Sequence, residues 1–491
     1  MTTAWVLGDQ LTLENPALAR TRRVLMVESA ERSTRERYHK QKLVLVLAAM
    51  REFARELEAG GFEVEYLTLS AECTFAQAAA RHPDLVAMEP SDRQTQLLLE
   101  SLGVELVPTT LFLCTRAEFS AWAGVRPRLR MHEHYVRMRR SLGILVEPDG
   151  SPVGGRWSFD AENRKTNAAW RRSGLAEARP GPPEVVASET VEAVARDVDR
   201  RFPDHPGSTG GFWLPTTREA ARAWLADFVA HRLDAFGPYE DAMDTGSAFL
   251  HHSVLSPALN LGLLGPRECV DAALASGAPI ESIEGFVRQI IGWREFVNGV
   301  YWHAGPDYPE RNELGATRPL PRLFETGESE LACLRHQLAS TERLGWNHHI
   351  ERLMVLGNFM LLADVDPSEA TRWFLARYVD AYDWVMWPNT VGMILHADGG
   401  MLASKPYAAG GAYINRMSDH CTACRFDPKR RTGEDACPFT TLYWDFIRRH
   451  ADRFAENPRM ALPVRSWHAI PGDEQRAIAA RAREVLAVYA S

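Results

Sequence analysis

From the N-terminus to about residue 115, hydrophobic positions come in short runs separated by amphipathic stretches. Ala4-Trp5-Val6-Leu7 stops at Gly8 and Asp9, and Arg23 to Val27 (RVLMV) stops at Glu28. Val64-Glu65-Tyr66-Leu67, Leu85-Val86-Ala87-Met88 and Val104-Glu105-Leu106-Val107 continue the series. Between the second and third runs, Lys42 to Leu57 repeats its apolar positions with the period of a helix. Short buried strands alternating with helices predict a mostly parallel, doubly wound α/β sheet. Sheets of this kind bind ligands beyond the carboxyl ends of their strands, where Gly8, Asp9, Gln10 and Glu28 fall. No GxGxxG accompanies them, so an ordinary dinucleotide fold is not expected.

The alternation then breaks down. Gly150, Pro152, Gly154 and Gly155, then Pro180-Gly181-Pro182-Pro183, then Gly210-Gly211 mark a long connector of loops with room for short helices. After Thr217 the period is helical, in Arg218–Leu233, Pro266–Ala275, Ile280–Val297, Ser329–Leu338 and His349–Leu362. The division expected is an α/β domain over 1–125, a connector over 126–217 and an all-α domain over 218–491. No internal repeat is present.

A chain of 491 residues agrees with two or three folding units, and 45% hydrophobic with 24% charged residues suits a globular protein. The first eleven residues hold no basic stretch followed by a long apolar run, and no segment reaches the ~18 apolar residues of a membrane span. A cytoplasmic monomer without membrane contact is the expectation. The net charge of −8 weighs against phosphate binding over the whole surface. Arg126, Arg128, Arg130, Arg137, Arg139 and Arg140 nevertheless concentrate positive charge, either as a nucleic-acid face or as a solvated helix. Seven cysteines, an odd number, argue against a disulfide framework.

Cys421, Cys424 and Cys437 form a C-x2-C-x12-C array with Pro438 directly after it. Thiolates three residues apart can grip one centre from a single turn, and soft ligands suit zinc or an iron–sulfur cluster. Cys333, Cys269 or His420 are the candidates for a fourth ligand.

Leu250 to Leu264 (LHHSVLSPALNLGLL) resembles the photolyase/cryptochrome segment whose serines and backbone amides hold the flavin diphosphate. Ser253 and Ser256 would do so at a helix start, where free N–H groups attract phosphate; helix capping is their simpler use. Gly292-Trp293-Arg294-Glu295-Phe296 resembles the family's WREF helix, and Gly345-Trp346-Asn347-His348-His349-Ile350-Glu351-Arg352 its W-x-H-H signature, the form seen in (6-4) photolyases. Tyr382-Asp383-Trp384, with Asn389 six residues after the aspartate, is similar to the stretch beside the isoalloxazine ring. One cysteine upstream, a C-x2-C pair and a fourth cysteine before proline resemble the bacterial iron–sulfur branch, as do GDQL near the N-terminus and Glu28 to Leu43.

The resemblance implies a Rossmann-like antenna domain and an all-α domain that holds FAD. It implies that Cys333, Cys421, Cys424 and Cys437 bind a 4Fe-4S cluster, and that Arg352 and Asp383 pair beside the flavin. Asn389 would face the flavin N5, with Arg294 and Asn347 near the cofactor. The implied activity is light-driven repair of (6-4) photoproducts in ultraviolet-damaged DNA, by an electron from excited reduced FAD. His349 would be the proton donor and His348 its support. Animal members have another histidine four residues on, where this chain has Leu353, as the bacterial branch does. Tyr407 and Tyr413 would contact the lesion or act as core tyrosines, and Trp373 and Trp384 would serve electron transfer. The branch's second pigment is 6,7-dimethyl-8-ribityllumazine, for which Gly8, Asp9, Gln10 and Glu28 are the candidates.

Two alternatives stay open at this level. A cryptochrome-like blue-light photoreceptor would use the same cofactors for a regulatory output, and cyclobutane dimers could replace the (6-4) product as substrate.

Overall fold

The computed structural model describes residues 2–70, 73–126, 128–175 and 181–489; Pro180 of the expected connector lies outside them. Five strands form one sheet: β1 (Thr3–Val6), β2 (Arg23–Val27), β3 (Glu63–Leu67), β4 (Leu85–Met88) and β5 (Glu105–Val107). All neighbours are parallel, in the order β3-β2-β1-β4-β5.

The register divides the side chains between two faces. Trp5 lies beside Leu25 and Ala87, and these three pack with Leu7, Val27, Phe75 and Leu99. The alternate residues Val6, Met26 and Met88 point the other way, into the main core with helix Lys40–Ala59. Burial on both faces explains why the central strands read as unbroken apolar runs. With β2 on one side of β1 and β4 on the other, the chain reverses its winding direction at β1, which opens a crevice at the strand ends.

The segment 126–217 is more structured than a linker. Helix Glu189–Arg201 buries Val191, Val194 and Val198 and packs on helix Lys40–Ala59, with Arg51 bonded to Asp197 at 3.3 Å. It therefore completes the α/β layer. Helix Met131–Leu142 docks instead on the helical half, where a Cβ on Gly292 would come within 3.2 Å of Met131 and Tyr135. The arginine run splits accordingly. Arg139 is fully buried and bonds the carbonyls of Ile144 and Trp157, so it ties down the chain and offers nothing to a phosphate. Arg126, Arg128, Arg130 and Arg140 are exposed.

Beyond β5 the described residues form helices, turns and isolated bridges, with no further strand, as the periodicity predicted. Close helix contacts are cut into the sequence. At Gly299 a Cβ would sit 2.1 Å from Phe119, so helix Glu295–His303 can pass helix Arg116–Ala123 only with glycine there. Three helical stretches widen into π-turns, at Arg288–Arg294, Arg352–Gly357 and Pro388–Ile394. Such turns re-aim side chains and concentrate at functional sites, and these three fall on the sequence motifs of the helical half. Among the described residues no helix is long and apolar enough to cross a membrane.

Candidate functional site

The crevice at the sheet edge holds a cavity of about 160 Å³. Gly8 and Asp9 after β1, Glu28 and Ser29 after β2, and Ser91 and Asp92 beyond β4 line one side; Ala381, Tyr382 and Asp383 of the helical half close it. Of the residues expected to bind a pigment here, Gly8 and Asp9 do line it. Asp9 accepts from the Ser91 hydroxyl, and burial pushes its pKa up. Glu28 lines it too, but its carboxylate is already fully used: Arg51 at 2.7 Å, the Tyr66 hydroxyl at 2.7 Å and Leu69 N at 2.8 Å. It builds the wall. Gln10 is not among the lining residues and spends its amide on the carbonyls of Met88 and Glu89.

Sequence reasoning missed Arg35, Tyr38 and Lys42, which line the same cavity. The Lys42 ammonium donates to Leu375 O at 3.1 Å and Ala381 O at 2.6 Å and lies 4.4 Å from the Tyr38 ring centre. Burial lowers its pKa to about 7. The Tyr382 hydroxyl, buried in the same place, has no hydrogen-bond partner among the described residues.

The paired arginine and aspartate are resolved differently from the expectation. Arg352 bonds Asp380, at 2.8 and 3.2 Å. Asp383 bonds Arg35 of the α/β half, at 2.5 and 3.0 Å. Asp380 follows Tyr378 in an irregular turn and precedes helix Asp383–Trp387, so it points toward the helix carrying Arg352, while Asp383 starts a helix that faces the sheet. Ser256, at the first position of helix Ser256–Leu261, donates to the same Asp380 at 2.7 Å. Ser253 accepts from Leu255 N, at 3.5 Å.

Around this pair the W-x-H-H segment forms a densely bonded site. Asn347 is 1% exposed; its oxygen accepts from Thr341 and Tyr378 at 2.6 and 2.9 Å, and its amide donates to Gln337 at 2.8 Å. It braces the site from inside. His348 is 2% exposed and stacks on His252 at 4.3 Å, with 16° between the rings. His349 is exposed, yet protein crowds round it. The surrounding protein, followed by the charges of Arg352 and His252, holds its pKa below the ordinary histidine value. Arg294 lies 4.1 Å from the Phe112 ring centre and 5.1 Å from that of Trp384, and burial lowers its pKa to about 10. The Asn389 amide donates to Val385 O at 2.7 Å.

Trp373 is buried, donates to Phe324 O at 3.0 Å and lies 5.9 Å from Tyr378, over which the Arg352 guanidinium sits at 4.0 Å. Trp384 packs edge-on against Phe112 at 5.0 Å. Tyr407 and Tyr413 are half-buried, and both feel the charges of Asp241 and Arg164. Burial pushes the Asp241 carboxyl up to about 6. A connector residue, Arg164, thus acts on both tyrosines.

Cys333, Cys421, Cys424 and Cys437 line one enclosed pocket with Gly411, His420, Phe426 and Phe439. All are free thiols, and Cys333, pushed up first by burial, feels the charge of the other three. A Cβ at Gly411 would come within 2.8 Å of the Cys437 sulfur. Cys269 is buried elsewhere, beside Glu268 and Arg294. Among the described residues no three His, Cys, Asp or Glu side chains converge as a single-ion site.

Residues 4–214 match the family described as deoxyribodipyrimidine photo-lyase-related protein. A (6-4) photolyase of Agrobacterium fabrum is 38% identical over 504 aligned positions, covering 98% of each chain. The fold is similar to that of a bacterial class III photolyase from Agrobacterium tumefaciens, with a TM-score of 0.57 at 16% identity, over 99% of this chain and 97% of that one. It is also similar to a Synechocystis cryptochrome, with a TM-score of 0.55 at 13% identity, over 97% and 91%.

Proposed function

The chain belongs to the deoxyribodipyrimidine photo-lyase-related family of photolyases, and we propose that it repairs (6-4) photoproducts in ultraviolet-damaged DNA with light. The observation that carries this reading is the single exposed ring of the histidine pair. His349 is exposed at the surface while His348 beside it is buried. One histidine is therefore available to a flipped-out base and the other can only act through neighbours.

The residues fit FAD. A bidentate Arg352–Asp380 pair, with Ser256 bonded to the same carboxylate, offers charge-assisted hydrogen bonds to a flavin ring or its phosphates. When bound, reduced FAD would supply the photo-excited electron. The chain's own work is then to hold the lesion and move a proton. Tyr407 and Tyr413 present aromatic surface against which a splayed base can stack, and Arg164 and Arg416 lie beside them as phosphate partners. The His349 ring is placed to give a proton to the lesion and take it back.

Four thiols round one enclosed, apolar-walled pocket fit a 4Fe-4S cluster, which would tie helix Ala332–Leu344 to the 421–437 loop. The cavity closed by Tyr382 fits a planar second pigment, the lumazine of this branch, with Asp9, Ser29 and Tyr382 as its polar contacts in place of Glu28 and Gln10. That pigment would supply light-harvesting. Anaerobic illumination of the reduced protein with each defined lesion tests the reading. Reversion of the (6-4) product is expected; a fully flavin-loaded protein that reverts no lesion overturns it.

A further inference from the structure

Behind the histidine pair lies a buried acid with no role in the reaction so far. Glu351 is 2% exposed, and its carboxyl group meets four polar neighbours. Gln337 Nε2 donates to Oε1 at 3.1 Å; His348 N at 3.2 Å and Asn347 Nδ2 at 3.4 Å donate to Oε2. The fourth is His348 Nε2, 3.5 Å from Oε1. The first three are fixed donors whose protons already point at the carboxyl oxygens. A proton on the carboxyl group has one acceptor to turn to, His348 Nε2.

That imidazole is restrained on its other sides. His252 covers one face, and its own nitrogens lie 3.1 Å from the carbonyls of Phe249 and Glu240. Neither ring nitrogen of His348 has a hydrogen-bond partner among the described residues, and the nearest carboxyl oxygen to Nε2 is Glu351 Oε1 at 3.5 Å. The charged and titratable groups around the pair come from several elements: Arg352 and His349 on its own helix, His252 across the stack, Tyr378 beyond Asn347, and His420 beyond Gln337 at 3.1 Å. Burial, His252, His349, Arg352 and His420 all disfavour a cation on His348 and press its pKa far down, while burial raises Glu351 to about 7. The spare proton of the dyad therefore rests on the acid near neutral pH.

We propose that Glu351 is the positioning residue for His348 and the proton store of the paired-histidine site. This rests on the photolyase reading above. Closing the 3.5 Å gap lets the carboxyl O–H donate to His348 Nε2, which fixes the ring as its Nδ1–H tautomer. In the step itself the O–H bond breaks as Nε2–H forms, leaving a carboxylate beside an imidazolium. The imidazolium releases its Nδ1 proton toward His349 and the lesion. The proton returns once the lesion's atoms have been rearranged, so no outside acid is consumed.

Glu351→Gln is the test. Glutamine keeps the shape and an acceptor oxygen, and its amide can still reach His348, but it holds no transferable proton. In the wild-type holoprotein without DNA, infrared titration should show a protonated-carboxyl band that fades as pH rises through about 7 and is absent from Glu351→Gln. Wild-type repair per absorbed photon should fall over the same interval, because the acid works only while protonated, by roughly tenfold per pH unit above it. Glu351→Gln should keep its FAD, repair at least about tenfold more slowly and lose that pH dependence. A wild-type protein without the band, a variant with the wild-type pH profile, or loss of FAD on the substitution overturns the proposal. Failure of the photolyase reading looks different, since no form of the protein would then repair any lesion at any pH; that result also overturns the role.

Discussion

Arg352 holds Asp380 through two parallel hydrogen bonds, of 2.8 and 3.2 Å, while its guanidinium lies 4.0 Å over the ring of Tyr378. Both partners are mostly buried, and Ser256 and Asn260 fasten the same aspartate from another helix. Removing one charge leaves the other stranded, which costs about 3 kcal/mol in such pairs. Asp380→Asn should therefore lower the melting temperature and strip FAD from the purified protein. Asp383→Asn, which breaks only the contact with Arg35, should keep FAD. The ratio of flavin to protein absorbance measures both, and the opposite pattern would return the flavin role to Asp383.

The thiol pocket predicts metal content. Iron and sulfide should be found at about four each per chain, the stoichiometry of the cluster type, and one zinc without iron would sink this assignment. Cys333→Ser should lose the iron and much of the soluble yield, because Cys333 lies far from the other three in sequence and the metal centre would bridge the two segments. Cys269→Ser should keep its iron.

At the sheet edge Glu28 and Tyr382 should behave in opposite ways. Glu28→Ala leaves Arg51, Tyr66 and the Leu69 amide without their shared partner and should destabilise the fold by about 3 kcal/mol. Tyr382→Phe removes a hydroxyl with no partner among the described residues, so stability should barely change while a bound pigment is lost. Thermal melts and the absorption of pigment released on denaturation separate the two. A stable Glu28→Ala protein, or a Tyr382→Phe protein with full pigment, would contradict this.

Lys42 ties the two halves together through the carbonyls of Leu375 and Ala381. Its pKa is about 7 in the fold against about 10.4 in an unfolded chain. Between those values the unfolded state binds more protons, so this residue makes stability rise with pH across the interval and fall again toward pH 7. Denaturant melts at pH 7 and pH 9 should show that slope, and it should flatten in Lys42→Met.

The central strands were legible because they are almost wholly apolar and buried on both faces, and Gly8 and Asp9 because they end one of them. Partnership across space was not. Asp380 and Asp383 are three residues apart on one turn, and nothing in the local pattern says which faces Arg352; that depends on where the helix from Asp383 begins. Glu28 looked like a ligand because it ends a strand, but the tertiary fold had already given its carboxylate three partners. Lys42 was hidden inside an amphipathic helix, where a lysine reads as surface. The cysteine spacing survived translation into structure because C-x2-C is a local geometry, whereas Cys333 was tied to it only by the family resemblance.

The proposed repair chemistry turns on His349. It is exposed while Asn347 and His348, just before helix His349–Glu351, are buried. Among the described residues its side chain makes no hydrogen-bond network comparable to that of Asn347. His349→Ala should therefore preserve folding, FAD, iron content and affinity for damaged DNA. Repair per absorbed photon should fall by roughly 100-fold, the usual scale for removing a general acid. Light-driven reduction of the flavin should be unchanged, because the proposed electron route through the buried Trp373 and Trp384 is untouched. His348→Ala differs in kind: it opens a void beside His252 and Glu351 and should lose stability as well as repair. Quantum yields measured side by side with melting temperatures distinguish the two residues. If His349→Ala repairs as well as the parent, the exposed histidine is not the donor; if it sheds FAD, the ring is structural.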